Sequence, residues 1–209
     1  MKGHKWFAAI YDRMMAPGEK LLGPIRQEML GDVSGEVLEI GAGTGANFRY
    51  YAPGTHVVAT EPDPYMMERA KKRAAEAPAN IELHQVAAED LPFPDATFDY
   101  VIDTLVLCSV KDPRKALSEI RRVLKPGGEL RLYEHVRYQN PIGALSQDVI
   151  SPLWQWVGAG CHPNRDTGRT LREAGFEVTS ELIRKELPPV PPMVFTRPHL
   201  QAVARRPAS

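Results

Sequence analysis

The sequence predicts an α/β fold built on a mostly parallel sheet. From Glu36 onward, short segments rich in β-branched residues alternate with amphipathic segments, and turn or helix-capping residues separate them. This alternation is typical of parallel strands joined by helices that cover both faces of a sheet. Seven segments have the length of strands, and the last two form a closing pair. We therefore expect a Rossmann-like three-layer sandwich, a mostly parallel seven-stranded sheet with an antiparallel closing strand.

The first half of the predicted sheet contains three strands and one helix. Strands are predicted over Glu36–Ile40, His56–Thr60 and Asn80–Val86. Asp63 followed by Pro64 is an N-cap and first-turn pair, which opens a helix that we expect to continue to about Ala77. Parallel strands linked in this way end at one edge of the sheet, where open α/β sheets bind ligands.

The second half begins with a buried strand and ends with the closing pair. Apolar residues at i, i+3 and i+4 predict a helix that begins at Asp112-Pro113, and we expect Gly127-Gly128 to stop it. The other predicted elements are a strand over Phe98–Asp103, a strand over Glu129–Val136, a helix ending at Gly175, and closing strands over Phe176–Lys185 and Pro198–Ala204.

Two segments lie outside this repeating pattern. Residues Trp6–Leu30 precede the sheet, and Pro17-Gly18 interrupts them, which predicts two short helices. Arg137–Asn164 lies between the fifth strand and the last helix. Because neither segment builds the sheet, we expect both to cover its carboxyl edge; the alternative is that they only pack on the core. The predicted organisation is a helical cover over residues 1–35 and a domain over residues 36–209, with a cover insertion at about residues 137–164.

Composition and charge exclude several classes of partner and location. The 209 residues include 26 basic and 26 acidic side chains, so no excess charge favours nucleic acid or an anionic membrane. No apolar stretch reaches the roughly 18 residues that cross a bilayer, and the N-terminal residues lack the apolar segment of a secretion signal. The two cysteines, Cys108 and Cys161, have no metal-binding spacing, so we expect no metal and a cytoplasmic location.

A glycine-rich turn follows the first strand, and an acidic residue precedes it. Gly41, Gly43 and Gly45 form a pattern that binds nucleotide-containing cofactors. Glu39 lies two positions before Gly41, where its carboxylate would repel the pyrophosphate of a dinucleotide. It would attract the ammonium of S-adenosylmethionine by about 1–4 kcal/mol at ~4 Å. The charge therefore favours S-adenosylmethionine over a nicotinamide cofactor, unless Glu39 is only a solvated charge at the strand end.

Two further features fit the same cofactor. Glu61 ends the second strand, 22 residues after Glu39, where an acidic residue accepts both ribose hydroxyls; alternatively, it caps the following turn. The loop from Val86 to Asp95 follows the third strand, and its backbone N–H groups are expected to contact adenine. Together these three features are more specific than any one of them.

The combined features resemble the class I S-adenosylmethionine-dependent methyltransferases. The resemblance rests on VLEIGAGTGANF, ATEPDPYM, AAEDLPFPDATFD and RRVLKPGGEL, within residues 36–136. It implies S-adenosyl-L-methionine as the cofactor and a methyltransferase domain over residues 36–209. Family members often have an acidic residue where Ala87 stands, so Glu89 or Asp90 is expected to hold the adenine amino group. The expected cofactor-binding residues are Glu39, Gly41, Gly43, Gly45, Asn47, Glu61, Pro62, Ala88, Glu89, Thr104 and Leu105.

A narrower resemblance extends nearly to the C-terminus. The segments TLVLCSV, Glu134-His135-Val136, Gly160-Cys161-His162 and Arg197-Pro198-His199 are similar to those of methyltransferase-like thiol S-methyltransferases and their bacterial relatives. This resemblance implies a small-molecule acceptor, an apolar thiol or a sulfide. We expect the acceptor to lie under the two cover segments, where Trp154 and Trp156 either line its pocket or only pack on the sheet.

Methyl transfer by in-line displacement makes few demands on the protein. A sulfonium becomes a neutral thioether, so placement of the reactants and exclusion of water dominate. About 3% of a thiol with a pKa of ~8.5 is already thiolate at pH 7, whereas a phenol needs more help from a base. The catalytic candidates for the acceptor's proton are Asp103, His135 and Tyr11, with His162 a further possibility. The alternatives are a helix-capping acid at Asp103 and a buried structural histidine at His135.

The predicted function is methylation of a small-molecule thiol or sulfide by direct transfer from S-adenosylmethionine. One alternative within the same class is O- or C-methylation of a quinone-like or phenolic molecule, and another is N-methylation of a lipid head group. Outside catalysis, the chain would be a module that binds S-adenosylmethionine without turnover. These alternatives differ in the acceptor, so the acceptor is the quantity to measure.

Overall fold

A computed structural model describes residues 5–184 and 193–208 and confirms the predicted fold class. Seven strands form one sheet in the order β3-β2-β1-β4-β5-β7-β6. The strands are β1 (Glu36–Ile40), β2 (His56–Thr60), β3 (Asn80–His84), β4 (Phe98–Thr104), β5 (Leu124–His135), β6 (Glu177–Arg184) and β7 (His199–Arg205).

The strand order creates a crevice at one edge of the sheet. β1 pairs in parallel with both β2 and β4, and the pairs β2–β3 and β4–β5 are also parallel. β7 closes the sheet antiparallel to β5, and β6 is antiparallel to β7. The chain runs outward from β1 to β3 and then returns to β4 on the other side of β1. The carboxyl ends of β1 and β4 therefore flank the switch point where sheets of this kind bind ligands.

Helices cover both faces of the sheet and enclose two apolar clusters. Side chains such as Leu117 and Leu171 fill the first face, and side chains such as Ile25 fill the second. Val37 and Leu38, adjacent on β1, point into opposite clusters because successive strand residues alternate between faces. The helices are α1 (Lys5–Leu30), α2 (Pro64–Ala74), α3 (Pro113–Val123), α4 (Pro141–Val157) and α5 (Thr167–Glu173), with short 3₁₀ helices at Phe48–Tyr50 and Met193–Thr196.

The prediction of two short helices before the sheet is wrong. α1 is one helix of 26 residues and continues through Pro17 and Gly18. A proline inside a helix removes one hydrogen bond and bends the axis, but it does not end the helix when both sides are held by packing. Leu22, Ile25 and Met29 pack α1 on the sheet beyond the proline. Asp12 binds the glycine turn before it.

The predicted helix starts are correct, and two predicted helix ends are wrong. The side chains of Asp63 and Asp112 accept hydrogen bonds from the first-turn N–H groups of α2 and α3. α2 ends at Ala74 and not near Ala77. α3 ends at Val123, because Leu124 is already extended and begins β5, so the Gly127-Gly128 pair lies within the strand.

The closing strands are confirmed as a pair, although the predicted end at Lys185 lies outside the described residues. Within residues 5–184 and 193–208, no helix combines the length and the apolar character needed to cross a bilayer.

Candidate active site

The glycine turn lies at the carboxyl end of β1 and has the backbone shape that glycine allows. Gly41, Gly43 and Gly45 all have positive φ angles, of 54°, 59° and 82°. A Cβ atom at Gly41 would lie 2.6 Å from Val106, and one at Gly45 would lie 2.5 Å from the ring of Phe48. A Cβ atom at Gly43 would meet no atom of the described residues within 4 Å. The first and third glycines are thus needed for packing, and the second faces open space.

Glu61 lies beside this open space. Its Oε2 accepts a hydrogen bond from the N–H of Gly43 at 2.8 Å, and its Oε1 accepts one from the N–H of Asp63 at 2.8 Å. Burial raises the pKa of Glu61, and the two backbone hydrogen bonds oppose the rise. Each carboxylate oxygen retains an acceptor site, so the residue can receive two hydroxyl groups side by side.

Glu39 lies beneath the turn and is almost fully buried. Its Oε1 accepts from Asn47 Nδ2 at 3.0 Å, and its Oε2 accepts from the Tyr51 hydroxyl at 2.7 Å. Burial raises the pKa of Glu39 to about 7, although Tyr51, Arg26 and Asn47 oppose the rise. The carboxylate is therefore turned inward, and it is not the solvated strand-end charge considered above.

Asn47 connects Glu39 to two other elements. Its amide also donates to Thr104 Oγ1 at 3.1 Å, and its carbonyl oxygen accepts from the Arg26 guanidinium. Arg26 is buried on α1 and has a relative exposure of 7%. Glu39, Asn47, Thr104 and Arg26 thus form one hydrogen-bonded network, although they lie on four different segments of the chain.

A second set of contacts joins α1 to the glycine turn. The Thr44 hydroxyl donates to Asp12 Oδ1 at 2.7 Å, and Arg73 on α2 bonds both the hydroxyl and the carbonyl of Thr44. Arg73 also forms an ion pair with Asp12 at 3.1 Å. The N-terminal helix is therefore held directly on the turn.

The loop after β3 contains the residues predicted to lie on the adenine side. Ala88 is buried and Pro62 is half-buried. Glu89 Oε1 accepts from the N–H of Lys111 at 2.8 Å, so this oxygen holds the start of the α3 segment. Asp90 is exposed. Contact of Glu89 or Asp90 with an adenine amino group stays a prediction.

Glu134 holds the turn that follows β4. It is fully buried; its Oε1 accepts from the N–H groups of Val106 and Leu107, and its Oε2 accepts from the N–H of Cys108 at 2.9 Å. Leu105 begins this turn with a φ of 63°, a conformation that costs a residue other than glycine about 1–3 kcal/mol. The carboxylate of Glu134 stabilises three consecutive N–H groups and thereby the strained turn.

Asp103 and Glu134 form a buried carboxyl pair. Asp103 Oδ1 accepts from the N–H of Val106 at 3.2 Å, and its Oδ2 has no donor among the described residues. Burial raises the pKa of Asp103 to about 6 and raises the pKa of Glu134 well above its usual range. The negative charge of Asp103 adds to burial in raising the pKa of Glu134. The geometry gives Asp103 a positioning contact, and its action as a base stays a prediction.

His135 lies between two cysteines that are far apart in the sequence. Its Nδ1 is 3.5 Å from Cys108 Sγ and 3.4 Å from Cys161 Sγ, and the two sulfur atoms are 3.6 Å apart. Both cysteines are buried. The main-chain N–H of His162 donates to the carbonyl of Cys108 at 2.7 Å and holds the two cysteine-bearing segments together.

Tyr11 and the remaining histidines have different surroundings. Burial raises the pKa of the Tyr11 phenol, and the charges of Cys108 and Glu61 contribute, so Tyr11 lies within electrostatic range of both. His162 Nδ1 lies 3.3 Å from the carbonyl oxygen of Cys108. Burial lowers the pKa of His199 to about 3, and its ring stacks on Tyr133. The action of Tyr11 as a proton acceptor stays a prediction.

α4 lies within the segment 137–164 and bonds the chain just after β5. Gln147 is fully buried and bonds the carbonyls of Val136, Pro163 and Phe195. Trp156 has a relative exposure of 84%, and the Trp154 ring is half-buried. Gln147 therefore anchors α4 through polar contacts, and the interpretation of Trp154 and Trp156 as pocket residues stays a prediction.

Sequence reasoning missed Arg26, Glu134 and the grouping of the cysteines. Arg26 follows Leu22 by four positions and therefore lies on the apolar face of its helix. A charged residue on that face was the signal that could have identified it. Glu134 ends a strand as Glu39 and Glu61 do, and the same reasoning applies to it. The contact of Cys108 with Cys161 spans 53 residues and had no local signal.

Comparison with known proteins agrees with this geometry. Residues 38–132 match a family model described as a methyltransferase domain. Human thiol S-methyltransferase TMT1B is 41% identical over 179 residues, which cover 82% of this chain and 71% of the human protein. Human TMT1A is 34% identical over 211 residues, which cover 95% and 82% of the two chains. The crystal structure of a SAM-dependent methyltransferase from Aquifex aeolicus superposes with a TM-score of 0.64 at 18% identity, covering 95% of this chain and 97% of that one.

The chain belongs to the class I S-adenosylmethionine-dependent methyltransferases. Within that class it is similar to the thiol S-methyltransferases TMT1A and TMT1B over most of its length. Its cofactor is S-adenosyl-L-methionine. The residues present fit this cofactor, because Gly43 leaves space beside Glu61 and the buried Glu39 places a carboxyl group beneath the turn.

Proposed function

We propose that the protein transfers the methyl group of S-adenosylmethionine to a small-molecule thiol or sulfide. The observation that carries the proposal is the similarity to thiol S-methyltransferases, which extends over 95% of the chain in the match to human TMT1A. The family model ends at residue 132, so the similarity includes segments beyond the cofactor-binding half. Those segments contain His135 and Cys161.

The polar residues of the glycine turn hold the cofactor in this proposal. Glu61 accepts the ribose hydroxyls, and Glu39, through its position beside Asn47, provides the negative charge for the methionyl ammonium. Thr104 and Leu105 line the methionyl part from the end of β4, while Ala88 and Glu89 lie on the adenine side. When bound, S-adenosylmethionine supplies a methyl group on a positively charged sulfur.

The acceptor side of the edge suits a thiol better than a weaker acid. Asp103 is fully buried and its Oδ1 is engaged with the turn at Val106, so a reaction that needs little help from a base suits this edge. A thiol ionises appreciably near neutral pH, and a nearby sulfonium favours the thiolate. His135 and Tyr11 stay the candidates for receiving a proton from the acceptor. A phenol or an amine would depend on them more steeply.

A matched panel of acceptors tests the proposal. We expect turnover with hydrogen sulfide and with thiophenol and benzyl mercaptan, and much lower turnover with phenol, benzyl alcohol, a reduced quinone and phosphatidylethanolamine. Methyl transfer from labelled S-adenosylmethionine is the measurement, and the Glu61→Ala variant is the control for activity at this site. Preference for an oxygen, carbon or nitrogen acceptor would overturn the acceptor class. Tight cofactor binding without turnover on any acceptor would indicate a binding module.

The partner and the location follow as parts of the same proposal. The partner is a small apolar acceptor, with no nucleic acid involved, and a cytoplasmic location stays a prediction. Fractionation of cells that express the full chain measures the location directly.

A further inference from the structure

Cys108, His135 and Cys161 have the composition of a metal site. Cys108 follows β4, His135 ends β5, and Cys161 follows α4, so three separate elements deliver one ligand atom each. The three ligand atoms lie within 4.8 Å of one another. Two thiolates and one imidazole are ligands that zinc prefers.

The spacing of these atoms matches a tetrahedral zinc ion. With Zn–S bonds of about 2.3 Å and a Zn–N bond of about 2.0 Å, tetrahedral angles place the two sulfurs about 3.8 Å apart and each sulfur about 3.5 Å from the nitrogen. The observed distances are 3.6 Å between the sulfurs, and 3.5 and 3.4 Å from the sulfurs to His135 Nδ1. A disulfide would instead require an S–S distance of about 2.05 Å.

Contacts outside the group of three ligand atoms hold Cys108 and His135 in place. The main-chain N–H of Cys108 donates to Glu134, and the carbonyl of Cys108 accepts from the N–H of His162. The Ser109 hydroxyl lies 3.5 Å from Cys108 Sγ, and the His135 ring packs against His199 at 4.7 Å. Such surrounding contacts orient the ligands of metal sites.

Among the described residues, no fourth histidine, cysteine or carboxylate joins the group. Structural zinc sites have four protein ligands, whereas catalytic sites have three and leave one position open. The group also lies near the cofactor turn: Val106, two residues before Cys108, is the residue that contacts Gly41. An open position here is therefore close to where the acceptor is expected.

We propose that Cys108, His135 and Cys161 bind one zinc ion whose fourth position holds the sulfur of the acceptor. The second part rests on the proposed thiol methylation, and the first part does not. When a thiol enters, the bond between zinc and water breaks, a bond between zinc and sulfur forms, and the S–H proton leaves with the displaced water. Zinc supplies the positive charge that balances two buried thiolates. It also holds the acceptor as a thiolate without a strong base.

Metal analysis of the untagged full chain tests the first part. Protein produced with added zinc and then desalted should contain about one zinc ion per chain. Cys108→Ser, Cys161→Ser and His135→Ala should each lower the zinc content about tenfold or more. His84→Ala is the matched control, because His84 pairs with Glu82 on β3, and it should keep the metal. Absence of zinc from the unsubstituted protein, or equal zinc in the cysteine variants, would overturn the site.

Two measurements on the unsubstituted protein avoid the risk that a variant fails to fold. One equivalent of zinc should protect both cysteines from alkylation, and a chelator should remove the protection. If the mass of the protein falls by the mass of two hydrogen atoms in the presence of zinc, the two cysteines have formed a disulfide and the proposal is contradicted. Cobalt in place of zinc should show a thiolate-to-metal absorption band and the intense visible bands of a tetrahedral ion.

A thiol titration of the cobalt form tests the open position. Benzyl mercaptan should shift the visible bands, and benzyl alcohol should leave them unchanged; no shift with the thiol would overturn the second part. If the metal binds and phenols are the preferred acceptors, the proposed function fails and the metal site stands. If thiols are methylated equally well by the metal-free protein, the proposed function stands and the role of the metal fails.

Discussion

At the scale of single residues, the site depends on acids at the carboxyl ends of neighbouring strands. Glu61 bonds the N–H of Gly43 and lies beside the space above that glycine. Glu39 is inside the protein, with both oxygens bonded to protein donors. We therefore expect Glu61 to accept hydrogen bonds from the cofactor, and we expect Glu39 to act on it through its charge when it is ionised.

Glu61→Ala should weaken the binding of S-adenosylmethionine about 5- to 150-fold, or about 1–3 kcal/mol, because a charged acceptor of two hydroxyl bonds is lost. Calorimetry with the cofactor is the measurement. Glu82→Ala is the control, since Glu82 is an exposed carboxylate on β3 that pairs with His84. Equal affinities in the Glu61 variant and the unsubstituted protein would contradict the assignment.

Glu39 should make the folded state less stable as the pH rises. Its pKa rises from 4.5 to about 7 on burial, so between these values the folded state holds a proton that the unfolded state has lost. The stability contribution is complete below about pH 4.5 and lost as the pH rises through 7; the complete loss is about 3 kcal/mol. Urea unfolding at pH 5 and pH 8 should show this loss in the unsubstituted protein relative to Glu39→Gln. Parallel pH dependences of the two proteins would show that Glu39 titrates normally.

At the scale of elements, the sheet and its capped helices could be predicted because their signals are local. Alternating β-branched segments and Asp-Pro caps depend on residues within a few positions of each other. The continuity of α1 through Pro17 could not be predicted in this way, because it depends on packing against the sheet and on the contact between Asp12 and Thr44. The Cys108–His135–Cys161 group likewise depends on the positions of three distant elements.

Arg26→Ala should loosen the glycine turn, although Arg26 is on a different element. The Arg26 guanidinium donates to Asn47, and Asn47 in turn donates to Glu39 on β1 and to Thr104 on β4. Removal of the guanidinium therefore loosens the residue that connects the ends of these two strands. We expect cofactor affinity to fall about 10-fold or more, as for loss of a charged hydrogen bond of about 1.5–3 kcal/mol. Hydrogen exchange over residues 41–47 should become faster. Arg13→Ala, at an exposed position of the same helix, should change neither quantity.

At the scale of the whole molecule, the cofactor site joins the two layers of helices. α1 reaches the glycine turn through Asp12 and Arg26 on one side of the sheet. On the other side, Glu89 bonds the N–H of Lys111 just before α3, while Leu117 and Leu171 fill that face of the core. These contacts connect the glycine turn and the loop after β3 to elements on both faces of the sheet, so we expect a ligand bound there to stabilise the entire fold.

Binding of S-adenosylmethionine should thus raise the stability of the protein as one unit. At a cofactor concentration about 100 times Kd, mass action adds about 2.7 kcal/mol, which corresponds to an increase in Tm of about 5–11 °C for a chain of this size. Calorimetric scans with and without the cofactor measure the shift, and Glu61→Ala at the same cofactor concentration should show a smaller one. Hydrogen exchange provides the sharper comparison, because α1 should be protected together with residues 41–47. Protection of the glycine turn alone would show that α1 unfolds independently, and the coupling through Asp12 and Arg26 would then be too weak to make it part of the site.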